Sequence, residues 1–354
     1  MPALAVADAL QAEDAEVSFL GARGRAEAEL VPAAGYEIDL LDVRGLDRGN
    51  PLKAAAAAAR AAAAIPAARR FLRRREPDVV MGGGGYVAGP AGLAALSLRL
   101  PLILTEADRR LGLANRLLAG RARRVCLAFP IPGREGDPYL VTGRPVPAAI
   151  MAADRGRARA RFGIVPEDRC LLVFGGSQGA RTINLAAVEA FAGADRDRRP
   201  FHVLHIAGSR DYGEARERLD AAGGSDRYTL VEYEPTLADP LAAADLVVAR
   251  AGGSIFELAA AGRPAILIPY PHAAARHQDA NAAWMARAGA AVVIADSELT
   301  PDRMLTSSAE LLGDPERLRR MSAASAALAR PDAAARIAAE VLAAARTTGD
   351  GGRR

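Results

Sequence analysis

The chain has 354 residues, of which 51% are hydrophobic and 25% are charged, and its formal net charge is +4. This length exceeds what one hydrophobic core usually supports, so we expect two domains with the composition of a globular enzyme. No apolar run approaches the roughly 20 residues that span a bilayer, and the first residues lack the basic start of a signal peptide, so we expect neither a membrane anchor nor secretion.

Short β-branched apolar runs alternate with longer Ala- and Leu-rich segments, which predicts parallel sheets with crossover helices. The predicted strands of the first half are 16–20, 36–41, 78–81, 102–105 and 123–129. Those of the second half are 171–174, 202–206, 228–231, 246–249, 265–269 and 291–294. Two prolines and a glycine interrupt the pattern at 143–147, which predicts domains at 1–143 and 144–354, with the final helix packing back toward the first domain.

The first residues predict a helix, because Pro2 suits a first helical turn and the residues to Leu10 continue it. A doubly wound sheet normally has a strand and a phosphate-binding loop before its first helix. Either the fold of the first domain is unusual, or its start, with the first strand, is missing.

An alanine-rich helix is predicted around residues 54–64, with Pro66 ending or kinking it. Arginines cluster at its end, at Arg69, Arg70, Arg73, Arg74 and Arg75. They suit either a solvated helix end or contact with anionic lipid headgroups. Nucleic acid is a poorer partner, because aromatic residues do not interleave with these arginines.

Three glycine-rich segments follow predicted strands and precede predicted helices. The first, Gly82 to Gly85, is either a tight turn or an anion site. The second, FGGSQGAR, adds the hydroxyl of Ser177 for a phosphate oxygen. In the third, RAGGSIFE, Ser254 and Glu257 have the spacing of a capping box, but Glu257 could instead accept the hydroxyls of a ribose.

Besides the three glycine-rich segments, a cluster of polar residues contains His272, His277, Gln278 and Asn281. The five-residue spacing of the two histidines does not suit a helical zinc pair, so we expect sugar hydroxyls rather than a metal. The two cysteines of the chain lie in apolar strand-like runs, which predicts buried thiols. No metal or cofactor is expected.

Several segments, in this order along the chain, resemble the MurG family: PALAVADAL, PDVVMGGGGYVAGPAG, FGGSQGARTIN, ADLVVARAGGSIFELAAAG and HQDANA. The resemblance implies a GT-B fold, in which two Rossmann-like doubly wound domains face a cleft. It implies an inverting transfer of N-acetylglucosamine from UDP-N-acetylglucosamine to undecaprenyl-pyrophosphoryl-MurNAc-pentapeptide, which converts lipid I to lipid II in peptidoglycan synthesis. It also implies a peripheral position on the cytoplasmic face of the bacterial plasma membrane, and partner enzymes of cell-wall synthesis.

The resemblance implies roles for individual residues. Donor-binding positions are Ser177, Asn184, Glu234, Gly252, Gly253, Ser254, Glu257, His277 and Gln278, to which the altered motifs add Asp108 and Arg144. The acceptor diphosphate loop is Gly82, Gly83, Gly84 and Gly85. The membrane contact is Ile65, Arg69, Arg70, Phe71, Leu72 and Arg73.

The sequence departs from the family pattern at three motifs. HEQN is replaced by TEAD at 105–108, NPVR by RPVP at 144–147, and the segment RAGGSIFE is one residue short. The GGTxGH loop, whose histidine is a candidate base, has no match, so no catalytic residue is assigned. Three interpretations follow: translation starts upstream of Met1, the chain is a paralogue that binds a nucleotide sugar without catalysis, or it is a GT-B transferase with another acceptor.

Overall fold

The computed structural model describes residues 2–43, 51–176, 179–193, 200–273 and 276–349. They form two compact units, which we call unit 1 (residues 1–147 and 330–354) and unit 2 (residues 148–329). Both contain parallel sheets and helices, which confirms the predicted α/β class. No helix within the described ranges combines the length and apolar character needed to cross a bilayer.

The elements of unit 1 are α1 (Pro2–Gln11), β1 (Ser18–Ala22), α2 (Glu27–Ala33), β2 (Glu37–Leu41), α3 (Pro51–Arg75), β3 (Val80–Gly82), α4 (Ala88–Ser97), β4 (Leu102–Glu106), α5 (Leu113–Leu118), β5 (Arg124–Leu127), β6 (Tyr139–Val141) and, at its end, α15 (Ala333–Gly349). Those of unit 2 are α6 (Ala149–Ala152), α7 (Arg155–Arg161), β7 (Arg169–Phe174), α8 (Arg181–Phe191), β8 (Phe201–Ile206), α9 (Tyr212–Ala221), β9 (Tyr228–Val231), α10 (Ala238–Ala243), β10 (Leu246–Ala249), α11 (Ile255–Ala260), β11 (Ala265–Leu267), α12 (His277–Arg287), β12 (Ala291–Val293), α13 (Pro301–Leu312) and α14 (Pro315–Ala327).

Every predicted strand is present, to within two residues at each end. Sequence reasoning missed β6, because its three residues follow a charged, proline-containing stretch and pair only with β5 at the edge of a sheet. Pro66 does not end the alanine-rich helix, since α3 continues through it to Arg75. Buried alanines on both sides, Ala64 and Ala68, hold this segment against the core.

The strands of unit 1 form two parallel sheets, β1-β2 and β3-β4-β5-β6. No ladder joins β1 to β3 among the residues described. Instead α3 and α4 share one hydrophobic cluster with residues from β1 and β2. A second cluster packs α1 and α15 against Ile103 of β4, through Val6, Ile337 and Val341.

The end of α3 corrects the predicted membrane contact. Phe71 and Leu72 are buried in the core of unit 1, and Ile65 packs against the same cluster. The reason is the spacing of Ala64, Ala68, Phe71 and Leu72, which places all four on one helical face. The Phe71 and Leu72 side chains are therefore not available to a lipid surface, whereas Ile65 is partly exposed and Arg70 and Arg73 on the same helix are exposed.

Unit 2 contains one six-stranded parallel sheet in the order β12-β11-β10-β7-β8-β9. At its amino edge the half-buried carboxylate of Asp245 accepts hydrogen bonds from Arg155 at 2.7 Å, from Arg159 at 2.8 Å and from the backbone N–H of Cys170 at 2.8 Å. The guanidinium of Arg159 also donates to the carbonyl oxygen of Ala243 at the end of α10. This cluster fixes α7 to the amino ends of β7 and β10.

Both cysteines are free and buried, as predicted. Burial is the main cause that raises the pKa of the Cys126 thiol to about 12, and it does the same for Cys170. Both side chains are therefore neutral thiols at physiological pH.

Candidate functional site

The carboxyl edge of the unit 2 sheet has a topological switch point between β7 and β10. These neighbouring strands pair in register, with Ala249 opposite Phe174, while the chain leads from β7 to β8 on one side and from β10 to β11 on the other. The loops that follow β7 and β10 therefore diverge and leave a crevice, which is where open α/β sheets bind ligands.

The loop after β7 is built for close backbone approach. Gly176 and Gly179 have positive φ angles of 101° and 78°. A Cβ on Gly175 would lie only 2.3 Å from the backbone nitrogen of Ala180, so this position requires glycine. Because α8 begins directly afterwards, its N-terminal N–H groups and positive dipole end face the same edge. Ser177, predicted to bind the donor, lies outside the described residues.

The loop after β10 leads through Gly252 and Gly253 into α11. Ser254 is the N-cap residue of α11, yet its side chain makes no capping hydrogen bond, so the capping-box interpretation of Ser254 and Glu257 is wrong. Glu257 lies in the first turn of α11 and is half-buried. Glu257 therefore belongs to a helix start that follows the switch-point strand β10, and acidic side chains accept ribose hydroxyls in dinucleotide sites.

Helix α12 brings its polar side chains to the loop after β10. Asn281 is buried and donates to the backbone oxygen of Ala251 at 3.0 Å, which fixes the helix to this loop. Gln278 accepts from the backbone N–H of Tyr270 at 2.9 Å, and its Nε2 lies 3.9 Å from where a Cβ on Gly252 would stand. His277, the first residue of α12, is half-buried beside it. The structure therefore brings Gly252 and Gln278 together, while Asn281 has a supporting position.

Arg250 is a buried cation at the same edge that sequence reasoning did not single out. It donates to the backbone oxygen of Ile268 at 3.2 Å, to Asp296 at 2.5 Å and to Thr182 at 2.6 Å. These bonds connect the start of α8 with the loop that follows β11. A charged residue directly after a buried apolar strand was the available signal, because such a residue needs partners at the sheet edge.

Asn184 lies one turn into α8 and is 1% exposed. Its Nδ2 donates to the backbone oxygen of Ala207 at 2.9 Å and to Asp211 at 3.1 Å, and its Oδ1 is 3.0 Å from Nε2 of His205. All its polar atoms therefore have protein partners.

Glu234 follows β9 and turns its side chain inward. The carboxylate is 5% exposed and accepts a hydrogen bond from Arg161 at 2.6 Å. The same guanidinium also pairs with Asp239 at 2.9 Å. One oxygen of the Glu234 carboxylate is therefore held by Arg161 of α7.

In unit 1 the glycine run extends from the end of β3 to the start of α4. Gly82 is a buried strand residue, since a Cβ there would lie 2.9 Å from Leu104. Gly84 and Gly85 have φ angles of 80° and 73°, and Gly83 and Gly85 are exposed. The three later glycines therefore form an accessible loop of backbone amides before the N-terminus of a ten-residue helix, which suits an anion.

The altered segment after β4 is organised by Glu106. This buried carboxylate accepts from the backbone N–H groups of Asp108 at 3.1 Å and Gly112 at 2.7 Å, and from Asn115 at 2.9 Å. The Asp108 side chain is exposed, so only its backbone takes part in this cluster. Arg144, the other position with an altered motif, follows β6 in the chain and is half-buried.

Metal-ligating side chains do not gather in the part of the chain that the structure describes. No group of three or more His, Cys, Asp or Glu side chains there could hold an ion. His272 instead makes an edge contact with Tyr270, with ring centroids 5.6 Å apart.

Comparisons with known proteins match both units. The Glycosyltransferase family 28 N-terminal domain matches residues 1–127, and the family 28 C-terminal domain matches residues 170–337. A UDP-N-acetylglucosamine–N-acetylmuramyl-(pentapeptide) pyrophosphoryl-undecaprenol N-acetylglucosamine transferase of Moorella thermoacetica is 41% identical, over 96% of this chain and 94% of its own. The enzyme of the same name from Alkalilimnicola ehrlichii is 43% identical, over 95% and 93%.

The crystal structure of Acinetobacter baumannii MurG superposes with a TM-score of 0.72 at 28% identity, covering 97% of this chain and 95% of that one. The two α/β units therefore have the GT-B fold.

Proposed function

The chain belongs to the MurG family of N-acetylglucosamine transferases, and we propose that it transfers N-acetylglucosamine from UDP-N-acetylglucosamine to undecaprenyl-pyrophosphoryl-MurNAc-pentapeptide. The observation that carries this proposal is the switch point of unit 2. There two glycine loops and the starts of α8 and α11 converge with Glu257 and Gln278 at one edge of the sheet.

The donor diphosphate would lie against the backbone amides that follow β7 and β10. Glu257 accepts the ribose hydroxyls, Gln278 and His277 contact the sugar, and the backbone at Glu234 meets the base. Ser177 adds a hydroxyl to the diphosphate. Asn184 acts indirectly, because its polar atoms are already bonded within the protein.

The reaction needs charge stabilisation on the leaving group. The oxygen of an acceptor hydroxyl bonds to the anomeric carbon and gives up its proton to a base, while the bond to the diphosphate breaks, so negative charge builds up on the departing UDP. Amides and helix N-termini that already point at this position stabilise that charge without reorganisation. Attack from the opposite face inverts the anomeric centre.

The acceptor diphosphate would bind to unit 1. The accessible amides of Gly83, Gly84 and Gly85, before α4, offer the same kind of anion site. The exposed carboxylate of Asp108 replaces an asparagine of the family motif, and we assign it no phosphate contact because of its charge.

We place the membrane contact on α5 rather than on the buried face of α3. Leu113 and Leu117 lie one turn apart on α5 and are both exposed, the second by 66%. Arg110, Arg116 and Arg121 are exposed nearby along the chain. Exposed leucines with adjacent cations suit an anionic lipid surface, and a peripheral position would bring the chain to its lipid acceptor.

The transfer is tested with purified protein, lipid I and radiolabelled UDP-N-acetylglucosamine, with lipid II as the expected product. Glu257→Gln should lower UDP affinity on the order of 10-fold, because a charge-assisted bond to the ribose is lost. Glu310→Gln, at an exposed glutamate of α13, is the matched control and should bind as the unchanged protein does. A protein that binds UDP but forms no lipid II would contradict the proposed transfer.

Vesicle co-sedimentation tests the membrane contact. The protein should pellet with phosphatidylglycerol vesicles, and the double substitution Leu113→Glu and Leu117→Glu should release it. Val165→Glu, at a residue that is 53% exposed in unit 2, is the control. Equal pelleting of all three proteins would show that α5 does not contact the lipid.

A further inference from the structure

A row of buried polar side chains crosses unit 2 beneath the loop that follows β7. Tyr228 on β9 is hydrogen-bonded to Nδ1 of His205 on β8 at 2.7 Å, and Nε2 of His205 is 3.0 Å from Oδ1 of Asn184 on α8. Nδ2 of Asn184 then reaches Ala207 and Asp211, which follow β8. His205 is completely buried.

The hydrogen bonds of this row have one consistent direction. Nδ2 of Asn184 faces a carbonyl and a carboxylate, so the amide is oriented with Oδ1 toward His205. Nε2 of His205 must therefore carry the proton, and Nδ1 accepts from the hydroxyl of Tyr228. Burial lowers the pKa of His205 to about 3, so the ring is neutral and keeps this tautomer.

The two acceptors of Asn184, the backbone oxygen of Ala207 and the carboxylate of Asp211, form a wall behind the loop that follows β7. A Cβ on Gly179 would lie 2.5 Å from the backbone oxygen of Ala207 and 2.7 Å from Oδ2 of Asp211. Gly179 also donates its backbone N–H to Gly176 at 2.9 Å, which closes the turn. Any shift of Ala207 or Asp211 therefore moves the amides of this loop.

We propose that His205 is a positioning residue for the donor diphosphate, acting through Asn184 on the wall that supports Gly179. This inference rests on the proposed function, in that it takes the loop after β7 as the donor site. His205 does not touch the donor. Its ring N–H fixes the Asn184 amide in one orientation. In that orientation Nδ2 of Asn184 donates to both groups of the wall, Ala207 and Asp211.

The experiment measures UDP binding by calorimetry on the full chain. His205→Leu removes both hydrogen bonds of the ring and should weaken UDP binding on the order of 10-fold, since small misplacements of binding groups have effects of this size. His205→Gln keeps an N–H donor within reach of Asn184 and should restore most of the affinity. Tyr228→Phe removes only the hydroxyl that fixes the ring and should weaken binding about 3-fold.

His202 provides a matched control on the same strand. It is also buried and bonds across to β9, with Nε2 2.8 Å from Oγ1 of Thr229, but it lies toward the amino end, away from the loop. His202→Leu should therefore lower stability without changing UDP affinity.

Several results would overturn the positioning role. The first is that His205→Leu and Tyr228→Phe both bind UDP as tightly as the unsubstituted protein does. The second is that His202→Leu and His205→Leu lose UDP affinity equally. If His205→Leu does not fold, Tyr228→Phe alone decides, and unaltered affinity rejects the inference. A failure of the unchanged protein to bind UDP would instead reject the proposed function.

Discussion

The neutral, buried state of His205 predicts a specific loss of stability in acid. Its pKa in the folded protein is lowered from 6.5 to about 3, because burial penalises the charged ring. The unfolded chain therefore binds a proton below pH 6.5 that the folded chain does not bind until pH 3. The stabilising contribution is complete at pH 8 and is lost as the pH falls from 6.5 toward 3.

The size of the effect follows from the two pKa values. At pH 5 the unfolded ring is 1.5 pH units below its own pKa, and each unit corresponds to about 1.36 kcal/mol. The free energy of unfolding should therefore fall by about 2 kcal/mol between pH 8 and pH 5 through this residue alone. Full burial of the ring means that solvent screening does not reduce this value.

The assay can observe unit 2 separately, because the one tryptophan of the chain, Trp284, lies on α12 and packs near Phe256. Urea unfolding followed by tryptophan fluorescence at pH 8 and pH 5 gives the free energy at each pH. His205→Gln removes the titrating group while the other ionisable groups stay, so its pH dependence should be about 2 kcal/mol smaller. Equal pH dependence in both proteins, within about 0.5 kcal/mol, would refute the buried neutral histidine.

Three further outcomes are expected. Asp245→Ala should lower the free energy of unfolding of unit 2 by about 3–5 kcal/mol, because it leaves the buried Arg159 cation without its carboxylate. Asp220→Ala, at an exposed position, is the control. A loss below about 1 kcal/mol in Asp245→Ala would show that the cluster is solvated. Gly179→Ala should weaken UDP binding and destabilise unit 2 by more than about 1 kcal/mol, because a Cβ at positive φ meets the oxygen of Ala207. The control Gly213→Ala has open space on helix α9, so it should leave UDP binding unchanged and should not lower stability. Equal effects of the two substitutions would reject the argument. Cys126 and Cys170 should resist a thiol reagent in the folded chain at pH 8 and react after unfolding in urea, and rapid labelling without denaturant would contradict their burial.

The strands were predictable because their signal is local. Runs such as 171–174 and 246–249 are apolar over their whole length, as parallel strands covered on both faces require. The glycine loops were equally visible, since each follows such a run and precedes a helix. The β6 strand lacked this signal because it has only three residues next to a proline.

The outcomes at Phe71, Leu72 and Ser254 have a different cause. The spacing of Ala64, Ala68, Phe71 and Leu72 is that of a buried helical face, but the family resemblance assigned the membrane contact to this helix. At Ser254 the capping-box spacing is present, and the structure shows that spacing does not guarantee the hydrogen bond.

The supporting residues of the site could not be predicted from the sequence. His205, Tyr228 and Asn184 are separated by 21 to 23 positions, and they meet only because β8 lies beside β9 and under α8. Their contacts depend on strand order and register, which no local pattern encodes.

The placement of α15 has a consequence for synthesis on the ribosome. Unit 2 is contiguous, so residues 148–329 are all synthesised before α15. The cluster that packs Val6 and Ile103 against Ile337 and Val341 lacks one of its sides until that last helix is made. Vectorial synthesis therefore favours completion of the later unit first, and the earlier unit is the nascent region that depends longest on protection from aggregation.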